Sequence, residues 1–146
     1  MPTRTARTAW TGTLAEGSGQ VELTSSGLGT YEVSFPKRAA DSSPGTTSPE
    51  ELIAAAHTAC YAMSLSSEIA KAGGTPHALD VTAVVTLGPD TERGGFAITG
   101  IALSVEGEVE GLDADGFAAA AQTAKEGCPV SKALAGTTIT LEASLA

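Results

Sequence analysis

Hydrophobic and polar residues alternate along the first third of the chain, which is the pattern of β-strands buried on one face. The alternation runs through residues 4–14, 20–25 and 31–35, and the turn sequence Glu16-Gly17-Ser18-Gly19 separates the first two segments. We therefore expect an antiparallel meander of three strands, with Arg38 at the end of the third strand region.

A long apolar segment follows and predicts the clearest helix of the chain. Ser48 is a good N-cap, Pro49 suits the first helical position, and Glu51 is placed to complete a capping box with Ser48. Residues 52–63 are apolar almost all round, so we expect a buried central helix whose many alanines let another backbone approach closely. The glycine pair at 73–74 should end it.

The remaining pattern predicts a hairpin, two further helical segments and a last strand. They are strands at 79–87 and 96–109, a helix at 113–126, a short helix opened by Cys128 and Pro129, and a strand at 137–145. The chain is therefore expected to be one α+β domain over residues 1–146, with antiparallel sheets around the central helix.

Charge and composition exclude several classes of function. The net charge is −9, and the 8 Lys and Arg residues are scattered along the chain, which argues against binding to nucleic acid. No segment has the pattern of a membrane span or of a secretory signal, so no membrane association is expected and the protein should be cytoplasmic. In that compartment two cysteines are more often reactive than a structural staple.

The two cysteines, Cys60 and Cys128, are the candidate reactive groups. Cys128 precedes Pro129 at a helix start, where free N–H groups favour a thiolate. Cys60 lies in the apolar helix, where burial alone raises the pKa of a thiol. His57 lies on the same helix face three residues earlier, and we interpret it as a hydrogen-bonded core histidine in preference to a general base.

Three kinds of protein could use these residues without redox chemistry of the two thiols. A Cys–His hydrolase would use His57 to activate Cys60, but no orienting third group or oxyanion motif is evident. A zinc site would draw on His57, Cys60, His77 and Cys128, which have the ligand types without the usual spacing. The last alternative is a domain without catalytic function, in which both cysteines fill the core.

The segment SPEELIAAAHTACYAMSL, followed by GCPVSKAL and a final ITLEASL, resembles the osmotically inducible protein C family, which includes the organic hydroperoxide resistance proteins. The likeness runs from Trp10-Thr11-Gly12 to the last strand, and the paired motifs are far more specific than a lone cysteine. His57 is similar to the osmotically inducible branch, because the organic hydroperoxide branch commonly carries Tyr there.

The resemblance implies a thiol-dependent peroxidase that works as an intertwined homodimer with its sites at the subunit interface. Cys60 would attack the peroxide, Cys128 would resolve the product as a disulfide, and Arg38 with Glu50 would support Cys60. Lys37 is the alternative to Arg38, because the loop that follows is longer than the family usually shows. The substrate would be an organic hydroperoxide or hydrogen peroxide, the reductant a small dithiol or a lipoyl-bearing protein, and no metal or cofactor would be needed.

These roles conflict with the expected acidity of the two thiols. The helix start makes Cys128 the more acidic thiol, so Cys60 needs the positive charge of Arg38 in order to react first. An opposite charge within ~4–6 Å lowers a pKa by roughly 1–3 units. Apolar residues at the entrance, including Tyr61 and Met63, should favour organic hydroperoxides over hydrogen peroxide.

The spacing of Glu50 and Cys60 leads to a second hypothesis. Ten helical residues place Glu50 about 15 Å along the axis from Cys60. Two helices that cross in a dimer would bring Glu50 of one chain towards Cys60 of the other. An Arg38–Glu50 pair in contact with Cys60 of the same chain would refute this.

Overall fold

Three short strands form an antiparallel sheet near the N-terminus, as the alternation predicts. In the computed structural model, which describes residues 1–146, the strands β1 (Arg7–Thr11), β2 (Ser18–Glu22) and β3 (Thr30–Val33) pair in the order β1-β2-β3. Trp10 and Tyr31 are exposed on this sheet. The single chain therefore leaves aromatic side chains of the sheet uncovered.

Arg38 is the last residue of a short helix, α1 (Phe35–Arg38), and does not follow a strand. The third strand stops at Val33 because Ser34 caps α1, its hydroxyl accepting a backbone N–H of the first turn. Pro36 favours a helix start, since its φ is already helical and it has no N–H that needs a partner. The expectation of a strand region ending at Arg38 is wrong for this local reason.

The central helix α2 (Pro49–Lys71) starts and ends where the sequence predicts. Ser48 Oγ accepts the Glu51 N–H at 3.1 Å. The Glu51 carboxylate binds Thr47 Oγ1, so the second half of the capping box is not formed. Gly73, with φ +89°, takes the left-handed conformation that ends the helix.

The chain divides into two compact units within α2, residues 1–52 and residues 53–146. The first unit holds β1, β2, β3, α1 and the start of α2. The second holds the rest of α2 and all later elements. One domain over residues 1–146 therefore stays a prediction.

A second sheet lies in the unit of residues 53–146. β4 (Thr75–Pro89) and β5 (Phe96–Glu110) pair as the predicted antiparallel hairpin, whereas β6 (Ile139–Leu145) pairs with β5 in parallel. The helices α3 (Ala114–Gly127) and α4 (Pro129–Ala133) form the crossover that a parallel pair requires. The α+β class is confirmed, but this sheet is mixed and not antiparallel throughout.

The core of the second unit is built by α2, α3 and the inward face of this sheet. Its largest apolar side chains are Tyr61, Leu65, Ile69, Leu103 and Phe117. A Cβ at Gly107 would lie 2.7 Å from the Phe117 ring, so a glycine is required at that point of β5. This close approach fixes α3 against the sheet.

Helix α2 buries one face and exposes the opposite one. The fully buried residues recur at every fourth position: His57, Tyr61, Leu65 and Ile69. The exposed apolar residues on the other side form what we call the alanine face: Ala55, Ala56, Ala59 and Met63. In the single chain, α2 is therefore buried on one face only, and not on all sides as predicted. No helix combines the length and the apolar composition needed to cross a membrane.

Candidate active site

The two thiols, 68 residues apart in sequence, meet inside the second unit. Cys60 Sγ and Cys128 Sγ lie 2.9 Å apart, and both cysteines are free. Cys60 comes from the middle of α2 and is half-buried, whereas Cys128 lies between α3 and α4 and is fully buried. The two sulfurs are close enough to share a proton or to be joined as a disulfide.

Cys128 lies among hydrogen-bond donors that favour its thiolate. Burial alone raises the pKa of this thiol, but hydrogen bonds from Cys60, from the N–H and hydroxyl of Ser131 and from the Val130 N–H lower the pKa overall. The two N–H groups belong to the first turn of α4, although none makes a hydrogen bond of regular capping geometry to the sulfur. This direction agrees with the acidity expected for a cysteine at a helix start.

The pKa of Cys60 shifts in the opposite direction, upwards. Burial raises the pKa of this thiol most, and the neighbouring Cys128 raises it further. The Val130 N–H and the Ser64 hydroxyl lower it by less, so the pKa of Cys60 is raised overall. Either thiol can donate to the other at 2.9 Å. We assign Cys60 as the donor, because the groups around the pair favour the thiolate on Cys128.

His57 is a buried, hydrogen-bonded core residue, as its position on the helix predicts. Its Nε2 lies 2.7 Å from Ser131 Oγ, while its Nδ1 is buried without a hydrogen-bond partner. Burial lowers the pKa of the imidazole, which keeps the ring neutral. The sequence does not predict Ser131 as the partner, although the C-P-V-S motif places its hydroxyl one helical turn after Cys128.

The zinc and hydrolase alternatives are not supported by the arrangement of these side chains. His77 Nε2 pairs with Glu110 Oε2 at 3.1 Å, and both side chains are exposed. No group of three or more His, Cys, Asp or Glu side chains is arranged to hold a metal ion. The imidazole of His57 binds Ser131 and is not placed as the base of Cys60.

Arg38 and Glu50 form a two-point ion pair in the first unit. Arg38 Nε donates to both carboxylate oxygens at 3.0 and 3.1 Å, and Nη2 donates to Oε1 at 2.7 Å. Burial alone raises the pKa of Glu50, but hydrogen bonds from Arg38, the backbone and Ser48, with the Arg38 charge, lower it overall. Glu50 is therefore an ionised carboxylate that fixes the guanidinium of Arg38, and Lys37 takes no part in this ion pair.

An apolar cavity of about 140 Å³ lies beside Arg38 in the first unit. Its apolar walls are Trp10, Leu14, Val33, Phe35 and Pro49. The sequence does not predict this cavity, because its walls come from segments that are distant along the chain. Tyr61, expected at an apolar entrance, is instead fully buried and donates its hydroxyl to the Ala121 carbonyl at 3.0 Å. That part of the expectation is wrong.

Comparison with known proteins gives one consistent family. The sequence profile of the family described as OsmC-like protein matches residues 41–142. Peroxiredoxin OsmC of Escherichia coli is 46% identical to this chain over 125 residues, which are 86% of this chain and 85% of that relative.

Solved structures of organic hydroperoxide resistance proteins are similar to this chain along almost its whole length. The organic hydroperoxide resistance protein OhrB of Bacillus subtilis has a TM-score of 0.72 at 28% identity, covering 97% of this chain and 98% of its own. An organic hydroperoxide resistance protein OsmC from Legionella pneumophila has a TM-score of 0.69 at 25% identity, covering 100% and 99%.

Proposed function

Because the chain belongs to the family of OsmC-like proteins, we propose that it is a cysteine-dependent peroxidase that reduces organic hydroperoxides in defence against oxidative and osmotic stress. The observation that carries this function is the 2.9 Å distance between the sulfurs of Cys60 and Cys128. A peroxidase that works through a sulfenic acid and a disulfide needs such a pair of free thiols.

The reaction has two steps on the protein. The Cys60 thiolate attacks an oxygen of the hydroperoxide; the O–O bond breaks with its electron pair on the departing oxygen, which takes a proton and leaves as the alcohol. Cys60 is then a sulfenic acid. The Cys128 thiolate attacks the Cys60 sulfur, the S–O bond breaks, and the departing hydroxide takes a proton and leaves as water while the disulfide forms.

Arg38 supplies the positive charge that Cys60 needs for the first step. A cation within ~4–6 Å lowers the pKa of a thiol by roughly 1–3 units, which opposes the effect of burial on Cys60. The guanidinium also neutralises the charge that develops on the departing oxygen. Glu50 acts as a positioning residue, because its carboxylate holds the guanidinium at two points.

We assign the Arg38–Glu50 pair of one subunit to the Cys60 of a partner subunit in a homodimer. Ten residues of continuous helix separate Glu50 from Cys60, about 15 Å along the axis. The alanine face supports the dimer, because its small apolar side chains are exposed and let a second α2 approach closely. Exposed Trp10 and Tyr31 add apolar surface of the kind that marks protein interfaces.

The cavity beside Arg38 favours organic hydroperoxides over hydrogen peroxide. Its volume of about 140 Å³ is close to that of an apolar cavity of ~150 Å³ that binds benzene in another protein. The alkyl or aryl group of a hydroperoxide would fill it, and the peroxide oxygens would lie at the guanidinium. Hydrogen peroxide has no group that gains from leaving water for this cavity.

An external thiol completes the cycle. A small dithiol or a lipoyl-bearing protein reduces the Cys60–Cys128 disulfide by thiol–disulfide exchange and is itself oxidised to a disulfide. We place the protein in the cytoplasm, where such reductants keep cysteines free. Neither nucleic acid nor membrane is expected as a partner, given the net charge of −9.

Consumption of cumene hydroperoxide with dithiothreitol as reductant tests the proposed function. The wild type should turn over, and Cys60→Ser should lose turnover altogether. Hydrogen peroxide serves as the comparison substrate and should react more slowly than cumene hydroperoxide. Turnover that survives in Cys60→Ser would contradict the assigned roles.

A further inference from the structure

Buried polar side chains are rare in this chain, and two of them are bonded to each other beside the thiols. The buried polar or charged residues are Glu50, His57 and Ser131. Glu50 is accounted for by its ion pair with Arg38. His57 and Ser131, which come from α2 and α4, take no part in the attack on the peroxide. Burying polar groups in an apolar core costs free energy unless they are well bonded, so this pair calls for an explanation.

The geometry links the imidazole to the resolving cysteine through one hydroxyl. His57 Nε2 and Ser131 Oγ are 2.7 Å apart. Ser131 follows Cys128 by one turn of α4, so the two side chains lie on the same side of that turn. The Ser131 hydroxyl is among the groups that lower the pKa of Cys128, as expected for a donor placed one helical turn from the sulfur. Two short contacts, His57–Ser131 and Cys128–Cys60, are therefore joined by the single turn of α4 that carries Ser131 and Cys128.

The position of the imidazole proton follows from the number of donors. A serine hydroxyl has one proton to donate. If Nδ1 of His57 carried the ring proton, Nε2 would take the Ser131 proton, Cys128 would lose its donor, and a buried N–H would have no acceptor. With the proton on Nε2, the Ser131 oxygen accepts from His57 and its own proton is directed at Cys128.

We propose that Ser131 and His57 form a relay of hydrogen bonds that holds Cys128 as a thiolate in the reduced enzyme. Ser131 contacts the reacting sulfur directly, and His57, neutral and protonated on Nε2, is a positioning residue that orients the Ser131 hydroxyl. This inference deepens the proposed function and rests on it, because it describes the second, resolving step of that reaction.

The relay acts when Cys128 attacks and again when it departs. In the resolving step the Cys128 thiolate uses its lone pair to form the S–S bond and gives up the hydrogen bond from Ser131. When an external dithiol attacks Cys60 of the disulfide, the S–S bond breaks with its electron pair on Cys128. The Ser131 hydroxyl then stabilises the departing Cys128 thiolate, while Cys60 is joined to the dithiol as a mixed disulfide. The second thiol of the dithiol attacks its own bonded sulfur, Cys60 leaves as a thiolate, and the dithiol becomes a disulfide.

Few other groups can set the charge of Cys128. Cys60 and Tyr61 of α2 are the titratable side chains that pack with Cys128 in the core, and the Tyr61 hydroxyl is committed to the Ala121 carbonyl. His57 is bonded to the neighbouring Ser131. Helix α3 contributes alanines to this core, and the strands contribute aliphatic side chains. Ser131 is therefore the group whose removal should change the ionisation of Cys128 most, once Cys60 is replaced.

Titration of the Cys128 thiolate by its ultraviolet absorbance, in the Cys60→Ser background, tests the relay without any peroxide. Ser131→Ala should raise the Cys128 pKa by about one unit or more, since a hydrogen bond to a charged group is lost. Ser131→Thr, which keeps a hydroxyl, should restore most of the shift. His57→Leu should raise the pKa by less than Ser131→Ala, and His57→Gln, which keeps a donor near the Nε2 position, should stay closer to the starting protein.

Ser64→Ala is the matched control, because the Ser64 hydroxyl is among the groups that lower the pKa of Cys60 and not among those that lower the pKa of Cys128. It should leave the Cys128 titration unchanged. In chains with both cysteines, Ser131→Ala should slow disulfide formation at neutral pH by roughly tenfold, and the deficit should close as the pH rises. A purely structural role of Ser131 would give a loss that does not depend on pH.

The outcomes separate this inference from the proposed function. If the wild type consumes no hydroperoxide but Ser131→Ala shifts the Cys128 titration, the peroxidase assignment and the role of the relay in the resolving step fail, while the hydrogen bonding of Ser131 to the Cys128 thiolate stands. If the peroxidase works but Cys128 titrates alike with Ser131 and with Ala, the relay is wrong. Should Ser131→Ala fail to fold, nitrogen NMR of His57 in the unmodified protein decides the matter: the Nε2–H tautomer is expected, and the Nδ1–H tautomer overturns the proposal.

Discussion

Cys60 and Cys128 lie with their sulfurs 2.9 Å apart, yet their pKa values shift in opposite directions. The pKa of Cys128 is lowered because donors of α4 and Cys60 outweigh burial. The pKa of Cys60 is raised because burial and the neighbouring sulfur outweigh its donors. When the pair loses a proton, the negative charge is therefore favoured on Cys128, and the proposed attack by Cys60 requires a further positive charge.

Removing the guanidinium tests where that charge comes from. Arg38→Ala should slow the oxidation of Cys60 by roughly a hundredfold, because both the thiolate and the departing oxygen lose their cation, and one such donor accounts for ~10²–10³ in rate. Arg38→Lys should recover part of the rate, since it keeps the charge but not the two-point contact with Glu50. Stopped-flow mixing with cumene hydroperoxide measures the rate of Cys60 oxidation in each variant.

Lys37→Ala is the matched control for Arg38→Ala, because Lys37 is the neighbouring cation, exposed and outside the ion pair. Cys60 of the Lys37→Ala protein should be oxidised at the wild-type rate. An equal loss in Lys37→Ala and Arg38→Ala would indicate that overall charge, and not a positioned guanidinium, promotes the reaction.

Burial of His57 predicts how stability changes with pH. Its pKa in the folded protein is lowered from 6.5 by burial, so the unfolded chain binds a proton that the folded chain does not. Stability should therefore be fully present above pH 6.5 and fall as the pH drops towards the folded pKa. The free energy of unfolding in urea, measured across this range, should show this slope.

The same measurement on His57→Gln separates this group from the others. Glutamine does not titrate, so the part of the slope that belongs to position 57 should vanish. If the slope is the same in His57→Gln and in the wild type, His57 is not held neutral by the fold.

The alanine face of α2 makes a prediction about assembly. Ala59→Arg should weaken self-association by roughly a hundredfold or more, because an unpaired charge in an interface costs ~3–5 kcal/mol. Peroxidase turnover should fall with it, since Arg38 and Cys60 would no longer be brought together. Sedimentation velocity over a range of protein concentrations measures the association.

Ala118→Arg is the control for Ala59→Arg, because Ala118 is an exposed alanine on α3. It should stay associated and active. A wild type that is monomeric at working concentrations would remove the partner subunit from the proposed site.

Local signals in the sequence predict most of the fold. Ser48 and Gly73 bound α2 because caps act within one helical turn, and the alternation along β4 and β5 gives the hairpin for the same local reason. The parallel pairing of β6 depends instead on how two helices return the chain to the sheet. No local pattern carries that information.

In the candidate site too, some features follow from local sequence signals and others from long-range packing. Its cysteines stand out by residue type and motif, and their 2.9 Å contact across 68 residues agrees with the pairing implied by the resemblance. The hydrogen bond between His57 and Ser131 spans 74 residues and depends on packing of α2 against α4. Arg38 and the cavity beside it depend on a short helix that Ser34 and Pro36 produce, where the alternation favours a strand.

The roles of the two cysteines are tested most directly by a single turnover of Cys128→Ser and Cys60→Ser with one equivalent of cumene hydroperoxide, followed by trapping with dimedone and mass spectrometry. Cys128→Ser should carry the dimedone adduct on Cys60, Cys60→Ser should carry none, and the wild type should give the Cys60–Cys128 disulfide. An adduct on Cys128 in the Cys60→Ser protein, formed as fast as the wild-type reaction, would contradict the claim that Cys60 attacks and Cys128 resolves.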